Sequence, residues 1–316
     1  MLASVGFFLD CVSNKPAASG LRLMGFALTA LPALPILSRL FSTQFLLAAE
    51  LVMQGSFADI HCHLLPGIDD GSPDLETSLA MARMAVDDGI HTIVMTPHQL
   101  GNFAQNHGNE IRARTLELQQ FLDANQISLE VLPGGDVRIE DGMVEKIVSG
   151  EVMTLGDHGQ HVLLELPHEL YFPLESVLAE LERHGMAGIL SHPERNQGIM
   201  RDVSMLEALV ENGCLMQVTA GSLMGTFGSR SQELAEWMLE QGFVHFIATD
   251  AHGVKSRRPL MHRAYDRVAE LVGESTAADL CSINPELVAL GKPVAAGVRP
   301  RQRRGWAGFF SPKKVG

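Results

Sequence analysis

Ala58-Asp59-Ile60-His61-Cys62-His63 reads as a short buried strand ending in two histidines, and Gly67-Ile68-Asp69-Asp70-Gly71 after it reads as a turn carrying two carboxylates. In an extended strand residues i and i+2 point to one face, so His61 and His63 project side by side. A polar pair at the end of an apolar strand is costly to bury unless it is hydrogen-bonded or ligated. Imidazole suits divalent transition metals, and neighbouring carboxylates supply the negative charge that a dication needs. A lone His-x-His is a weak signal, better explained by partly exposed or hydrogen-bonded histidines, so the deciding question is whether later strands also end in His, Asp or Glu.

From Asp59 to about Leu290 apolar strands and helical segments alternate. A helix opens at Pro73-Asp74-Leu75-Glu76 and Gly89 stops it; others cover about Asn109 to Ala124, Leu174 to His184 and Glu233 to Glu240, and a last helix runs from near Pro259 to Leu271. The strands after the first are His91–Thr96, Ile127–Leu132, His161–Leu166, Ala187–His192, Cys214–Thr219 and Val244–Asp250. Their near-continuous apolarity, with helices between, argues for parallel βαβ units covered on both faces. A barrel and a doubly wound sheet both fit that order. Six of the seven strands finish in a metal-ligand type: His61 and His63, His98, Asp136, Glu165, His192, and Asp250 with His252. In a barrel the C-terminal strand ends converge on one mouth, and imidazoles and carboxylates gathered there make a multinuclear metal centre.

Such a centre acidifies water and stabilises attacking and leaving oxygens together. Arg195, in Ser191-His192-Pro193-Glu194-Arg195, and Arg257, just after Asp250-Ala251-His252, lie close to these ligands in sequence. Guanidinium groups bind phosphate in a fork, so metals plus arginines favour phosphate-ester hydrolysis over deamination or peptide cleavage. No cysteine has an arginine six positions later, so the chemistry has to come from metals and water, without a cysteinyl-phosphate intermediate.

The remaining composition sets limits. A formal charge of -13 over 316 residues argues against a general nucleic-acid binder. Cys11, Cys62, Cys214 and Cys281 are far apart and read as reduced thiols of a cytoplasmic protein. Residues 1–52 differ from the rest: the uncharged run Leu23–Leu37 contains Pro32 and Pro35 and falls short of the ~20 residues a membrane helix needs. We expect translation to begin at Met53, with a disordered or peripheral extension as the alternative, a domain over 53–292, and a basic tail over 293–316. That tail sets Arg299, Arg301, Arg303, Arg304, Lys313 and Lys314 around Trp306, Phe309 and Phe310; a solvated tail is the plain reading and weak contact with an anionic membrane surface the alternative.

Asp59-Ile60-His61-Cys62-His63, Gly67-Ile68-Asp69-Asp70-Gly71, Thr96-Pro97-His98, Ser191-His192-Pro193-Glu194-Arg195 and Thr249-Asp250-Ala251-His252 resemble the PHP (polymerase and histidinol phosphatase) superfamily. The Asp-Asp-Gly turn and the His-Pro-Glu-Arg segment look more narrowly like its CpsB/YwqE type, bacterial metal-dependent protein-tyrosine phosphatases of capsule and exopolysaccharide loci. The resemblance covers roughly Phe57 to Leu290 and implies a distorted (β/α)7 barrel with two or three divalent ions, manganese first and Fe, Co or Zn as alternatives. It further implies that His61, His63 and Asp250 hold one ion, His192 and Glu165 a second, and Asp70, His98 and His252 a third, with Asp136 bridging and Arg195 and Arg257 binding the substrate phosphate. The implied partner is a phosphotyrosine protein such as a bacterial tyrosine kinase, with a homo-oligomer as a further expectation; a small-molecule phosphatase of histidinol-phosphate type is the alternative. Two positions depart from the family pattern. Asp136 stands where Glu is usual, roughly 1.3 Å shorter in reach, and Gln99 stands where a second His often follows His98.

Overall fold

Nine parallel strands carry the architecture of this computed structural model, which describes residues 56–296 and 298. They are β1 (Phe57–Cys62), β2 (Ile90–Met95), β3 (His98–Gln99), β4 (Glu130–Pro133), β5 (Asp136–Arg138), β6 (His161–Glu165), β7 (Ala187–Ser191), β8 (Leu215–Thr219) and β9 (Phe246–Ala248). The expectations for residues 1–52, for a start at Met53, and for the tail from residue 299 onward lie outside the described residues. Among the described residues no helix is long and apolar enough to cross a membrane.

The strands form two parallel sheets, ordered β1-β2-β4 and β3-β5-β6-β7-β8-β9. Two of the seven expected strands are each split. β2 breaks at Thr96-Pro97 and the chain resumes as β3; β4 breaks at Gly134-Gly135 and resumes as β5. The neighbours stay matched across both breaks, with Met95 opposite Pro133 and His98 opposite Asp136. The pyrrolidine nitrogen of Pro97 has no proton to donate to a ladder. A Cβ on Gly134 would meet Val94 Cγ1 at 2.7 Å, and one on Gly135 would meet Gln99 Oε1 at 2.4 Å, so only glycine lets the chain pass there. At the other flank Asp250 N donates to His61 O at 2.7 Å and His63 N to Ala251 O at 2.9 Å, tying the segment after β9 to the end of β1.

Sequence chemistry explains the helices that separate the strands. Asp74 caps Leu75–Asp87 by accepting from Thr77 N, and that helix buries Met81, Ala82 and Ala85. Gly108–Ala124 buries Ile111, Leu118 and Leu122 against the same core. A separate apolar cluster takes Ile60, Val94, Leu163, Ile189, Leu215 and Phe246, one residue from each of six strands. Two residues beyond Leu163, Ile189 and Leu215 on the same strand face come Glu165, Ser191 and Gln217, so alternation turns an apolar interior into a polar end.

The expectation of a last helix near Pro259 to Leu271 is corrected in two ways. That helix runs His262–Val272, and the chain then stays helical through Glu274–Ala278 and Asn284–Ala289. The added segment has a packing reason: Val288 and Ala289 join the inner cluster with Leu155. Ser282 Oγ donates to Ser56 O, and Asn284 Nδ2 donates to His245 O. It covers the N-terminal strand ends, opposite the polar end.

Candidate metal centre

Sharp turns at the strand ends aim the polar side chains. His192, Asp250 and Arg257 all hold positive φ (34°, 50° and 48°), a left-handed backbone that non-glycine residues adopt at some cost and that clusters at functional sites. Gly71 closes the Asp-Asp turn onto β1, where a Cβ would lie 2.5 Å from His63 O.

His61, His63 and Asp250 form the innermost group, all essentially buried. His61 Nε2 lies 3.3 Å from His63 Nε2, and Asp250 Oδ1 lies 3.3 and 3.4 Å from those two nitrogens. Donors each about 2 Å from one cation stand at this spacing. The ring orientations are fixed from behind. Gln217 Oε1 accepts from His61 Nδ1 at 2.8 Å, and Asp69 Oδ2 accepts from His63 Nδ1 at 2.8 Å, so both Nε2 lone pairs face inward.

The other expected residues gather around this group. His63, Asp70, His98 and His252 could hold an ion together, as could His61 with Asp136 and His192, and His98 with Asp136 and Glu165. Asp136 Oδ2 stands 3.2 Å from His98 Nδ1 and 3.6 Å from His61 Nε2, so the shorter acid reaches between two groups. Asp70 Oδ1 stands 3.4 Å from both His98 Nε2 and His252 Nε2 at the exposed rim. These candidate groups overlap: His192 lies with His61 and Asp136, Glu165 with His98 and Asp136, and His63 belongs to two of them. Gln99 is occupied structurally, its amide donating to Asn106 O and accepting from Met153 N.

Electrostatics point the same way. Burial alone would depress His61, but Asp250 and Asp136 push it up to about 9. The same contest, won by Asp136 and Asp70, pushes His98 up to about 11. Burial raises Glu165 to about 7, with the Asp136 charge adding to it. Burial and the Arg195 charge hold His192 well below the ordinary range. Burial would raise Asp136 and Asp250; the histidines, with both arginines at Asp250, hold them low instead. Both oxygens of Asp136, together with Asp250 Oδ1 and His252 Nε2, are buried without a hydrogen-bond partner. Buried carboxylate oxygens are expensive in that state. Convergent imidazoles and unpaired carboxylates are a donor set that fits divalent cations and satisfies those atoms.

Arg195 and Arg257 both pair with Asp250 Oδ2, the latter at 2.5 Å, while Oδ1 faces the histidines. Neither is a free surface charge. Arg195 also lies over the Phe227 ring, 4.1 Å from its centroid. Glu194, fully buried, accepts from Thr219 N and Ser222 Oγ and so fixes the turn that carries His192 and Arg195. Asp69, Gln217, Glu194 and Phe227 carry no assigned role in the sequence reading. Asp69 and Glu194 were legible only as members of the Asp-Asp-Gly and His-Pro-Glu-Arg segments, and Gln217 as a polar residue inside the apolar run Cys214–Thr219. Cys62, Cys214 and Cys281 are buried free thiols, and burial drives all three upward, Cys214 to about 12; a nucleophilic thiolate is thereby disfavoured.

Known proteins share this chain's pattern. Tyrosine-protein phosphatase YwqE of Bacillus subtilis (strain 168) is 34% identical over 255 residues, 80% of this chain and 99% of that protein. Tyrosine-protein phosphatase CpsB of Streptococcus pneumoniae is 26% identical over 236 residues, 73% of this chain and 97% of that one. Crystal structures of YwqE from Bacillus subtilis and CpsB from Streptococcus pneumoniae, described as unique metal-dependent tyrosine phosphatases, include a chain that superposes with a TM-score of 0.72 at 33% identity, covering 78% of this chain and 100% of that one. A family model described as capsular polysaccharide synthesis, CpsB/CapC, matches residues 57–289, a span that contains every residue of the site. This chain belongs to the CpsB/CapC family of capsular polysaccharide synthesis.

Proposed function

We propose that this chain is a metal-dependent protein-tyrosine phosphatase that hydrolyses phosphotyrosine on a bacterial tyrosine kinase and so regulates capsule or exopolysaccharide synthesis. The observation that carries the reading is Asp250: one oxygen faces His61 and His63, and the other anchors Arg195 and Arg257. A phosphoryl group placed there would meet the guanidinium groups on one side and, when ions are bound, the cations on the other.

His61, His63, Asp70, His98, Asp136, Glu165, His192, Asp250 and His252 are the residues that would hold two or three divalent ions, manganese foremost, with Fe, Co or Zn compatible with the same donors. When bound, such ions neutralise phosphoryl oxygens and acidify water. Arg195 and Arg257 bind the phosphate oxygens and stabilise the charge that builds on them as the ester bond breaks. Asp250 aims both guanidinium groups, and the Phe227 ring restricts that of Arg195. Gln217 and Asp69 hold the ligand histidines in their tautomers.

The scaffold reads as a distorted (β/α)7 barrel within a domain over 53–292. The hydrogen bonds between the end of β1 and the segment after β9 support closure, and the buried free cysteines fit a reducing cytoplasm. The test is turnover of a phosphotyrosyl peptide and of histidinol phosphate by chelated and manganese-reloaded protein. Phosphotyrosine turnover that needs the metal and disappears in His61→Ala is the expected result. Undiminished turnover after chelation would sink the metal mechanism, and faster histidinol phosphate hydrolysis would move the enzyme to the small-molecule class.

A further inference from the structure

Beside the metal groups a cleft of 230 Å³ opens, lined by His98, Gln99, Leu100, Phe103, Arg138 and Glu165. His98 and Glu165 belong at once to this cleft and to the ligand group around Asp136, so the cleft is continuous with the centre. Its volume exceeds the ~150 Å³ in which a buried cavity accommodates benzene. Phe103 forms one side, stacked on His98 with ring centroids 5.2 Å apart and planes at 24°.

The turn that presents Phe103 is built to stay in place. Leu100 and Gly101 both hold positive φ, and Phe103 N closes the turn on Leu100 O at 2.9 Å. Asn106 Nδ2 donates to His98 O and Ile68 O, and Gly101 N donates to Glu140. Arg138 lies on this turn: a Cβ on Gly101 would meet its Cγ at 3.2 Å. Among the described residues its guanidinium makes only long contacts, to Glu165 Oε2 at 3.5 Å and Leu166 O at 3.3 Å, and its side chain is 34% exposed. A ligand anion therefore finds Arg138 incompletely paired. The other aromatic at the mouth, Phe227, already has the Arg195 guanidinium over its ring.

We infer that the Phe103–Arg138 cleft is the aryl subsite of this enzyme, with Phe103 packing against the ring of phosphotyrosine and Arg138 pairing with an acidic residue next to it in the substrate. The inference rests on the phosphatase reading above. It names a specificity element separate from the phosphate-binding arginines: the cleft selects aryl over alkyl phosphates, and acidic over neutral neighbours.

The experiment uses manganese-loaded full-length protein and compares kcat/KM for a phosphotyrosyl peptide with that for β-glycerophosphate, in wild type, Phe103→Ala and Phe103→Tyr. A ratio measured on one sample cancels any loss of folded enzyme. The aryl-to-alkyl ratio falls about tenfold in Phe103→Ala, as lost aromatic packing implies, and recovers in Phe103→Tyr. Two phosphotyrosyl peptides, with Glu or Gln beside the phosphotyrosine, test Arg138→Gln: the wild-type preference for Glu collapses towards unity. Unchanged ratios in both variants, with wild type active, overturn the subsite and leave the phosphatase standing. Wild type that turns over no phosphotyrosyl peptide overturns both.

Discussion

Gln217 acts on the site through His61. Its Oε1 can only accept, so the His61 proton stays on Nδ1 and Nε2 faces Asp250 and Asp136. Partners of this kind tune metal affinity by about 10–100-fold. Gln217→Leu should therefore weaken divalent-ion binding by about that factor in a competition titration with a chelating dye, and undiminished affinity would show that the amide does not set the ring. Protons compete with the ions at the same atoms. In the ion-free chain the raised His61 value stabilises the fold fully below the unfolded histidine value of about 6.5 and fades as pH rises through about 9. Cation affinity runs the opposite way, because binding must displace that proton. Affinity should climb between about pH 6 and 9 with net proton release, read as a dependence of calorimetric heat on buffer ionisation enthalpy. A pH-independent affinity would contradict the raised value.

At the scale of elements, the strand breaks matter as much as the strands. β4 stops and β5 restarts at Gly134-Gly135, which brings Asp136 opposite His98 and beside Glu165. Gly135→Ala drives a methyl into the Gln99 amide, which itself ties Asn106 and Met153. Overpacking of this sort costs ~1–3 kcal/mol, seen as a lower denaturation midpoint with an unchanged slope; an unaltered midpoint would mean that the loop yields freely. The continuous apolar runs made the strands readable, since parallel strands covered on both faces need them. The breaks were less readable because a prolyl or glycyl pair marks a turn and a bulge alike. The helical segment Glu274–Ala289 has no readable pattern in the sequence, for its apolar residues are interrupted by Ser282, Asn284 and Pro285 and their partners are distant in the chain: Leu280 and Cys281 enter the main core, Val288 and Ala289 the inner cluster with Ile60, Val94 and Leu155.

For the whole molecule, the candidate ligands come from β1, β3, β5 and β6 and from the segments after β1, β7 and β9, so on the proposed reading ion binding ties these elements together. Any ion that binds the folded chain alone adds stability by mass action, ~2.7 kcal/mol at a hundredfold excess over Kd. Chelated protein should accordingly melt about 5–10 °C below manganese-saturated protein, since each kcal/mol moves a domain of this size by ~2–4 °C. Equal melting temperatures would mean that the ions do not bridge the strand ends. The sequence by itself determined the αβ alternation, the kinds of residue at the strand ends and the two arginines, because each is written in a few consecutive residues. Only the tertiary structure shows which candidate donors lie together, that Asp250 joins the arginines to the histidines, and that Gln217, 156 positions from His61, orients it. Proximity across that separation follows from strand order and register, and no local pattern encodes either one.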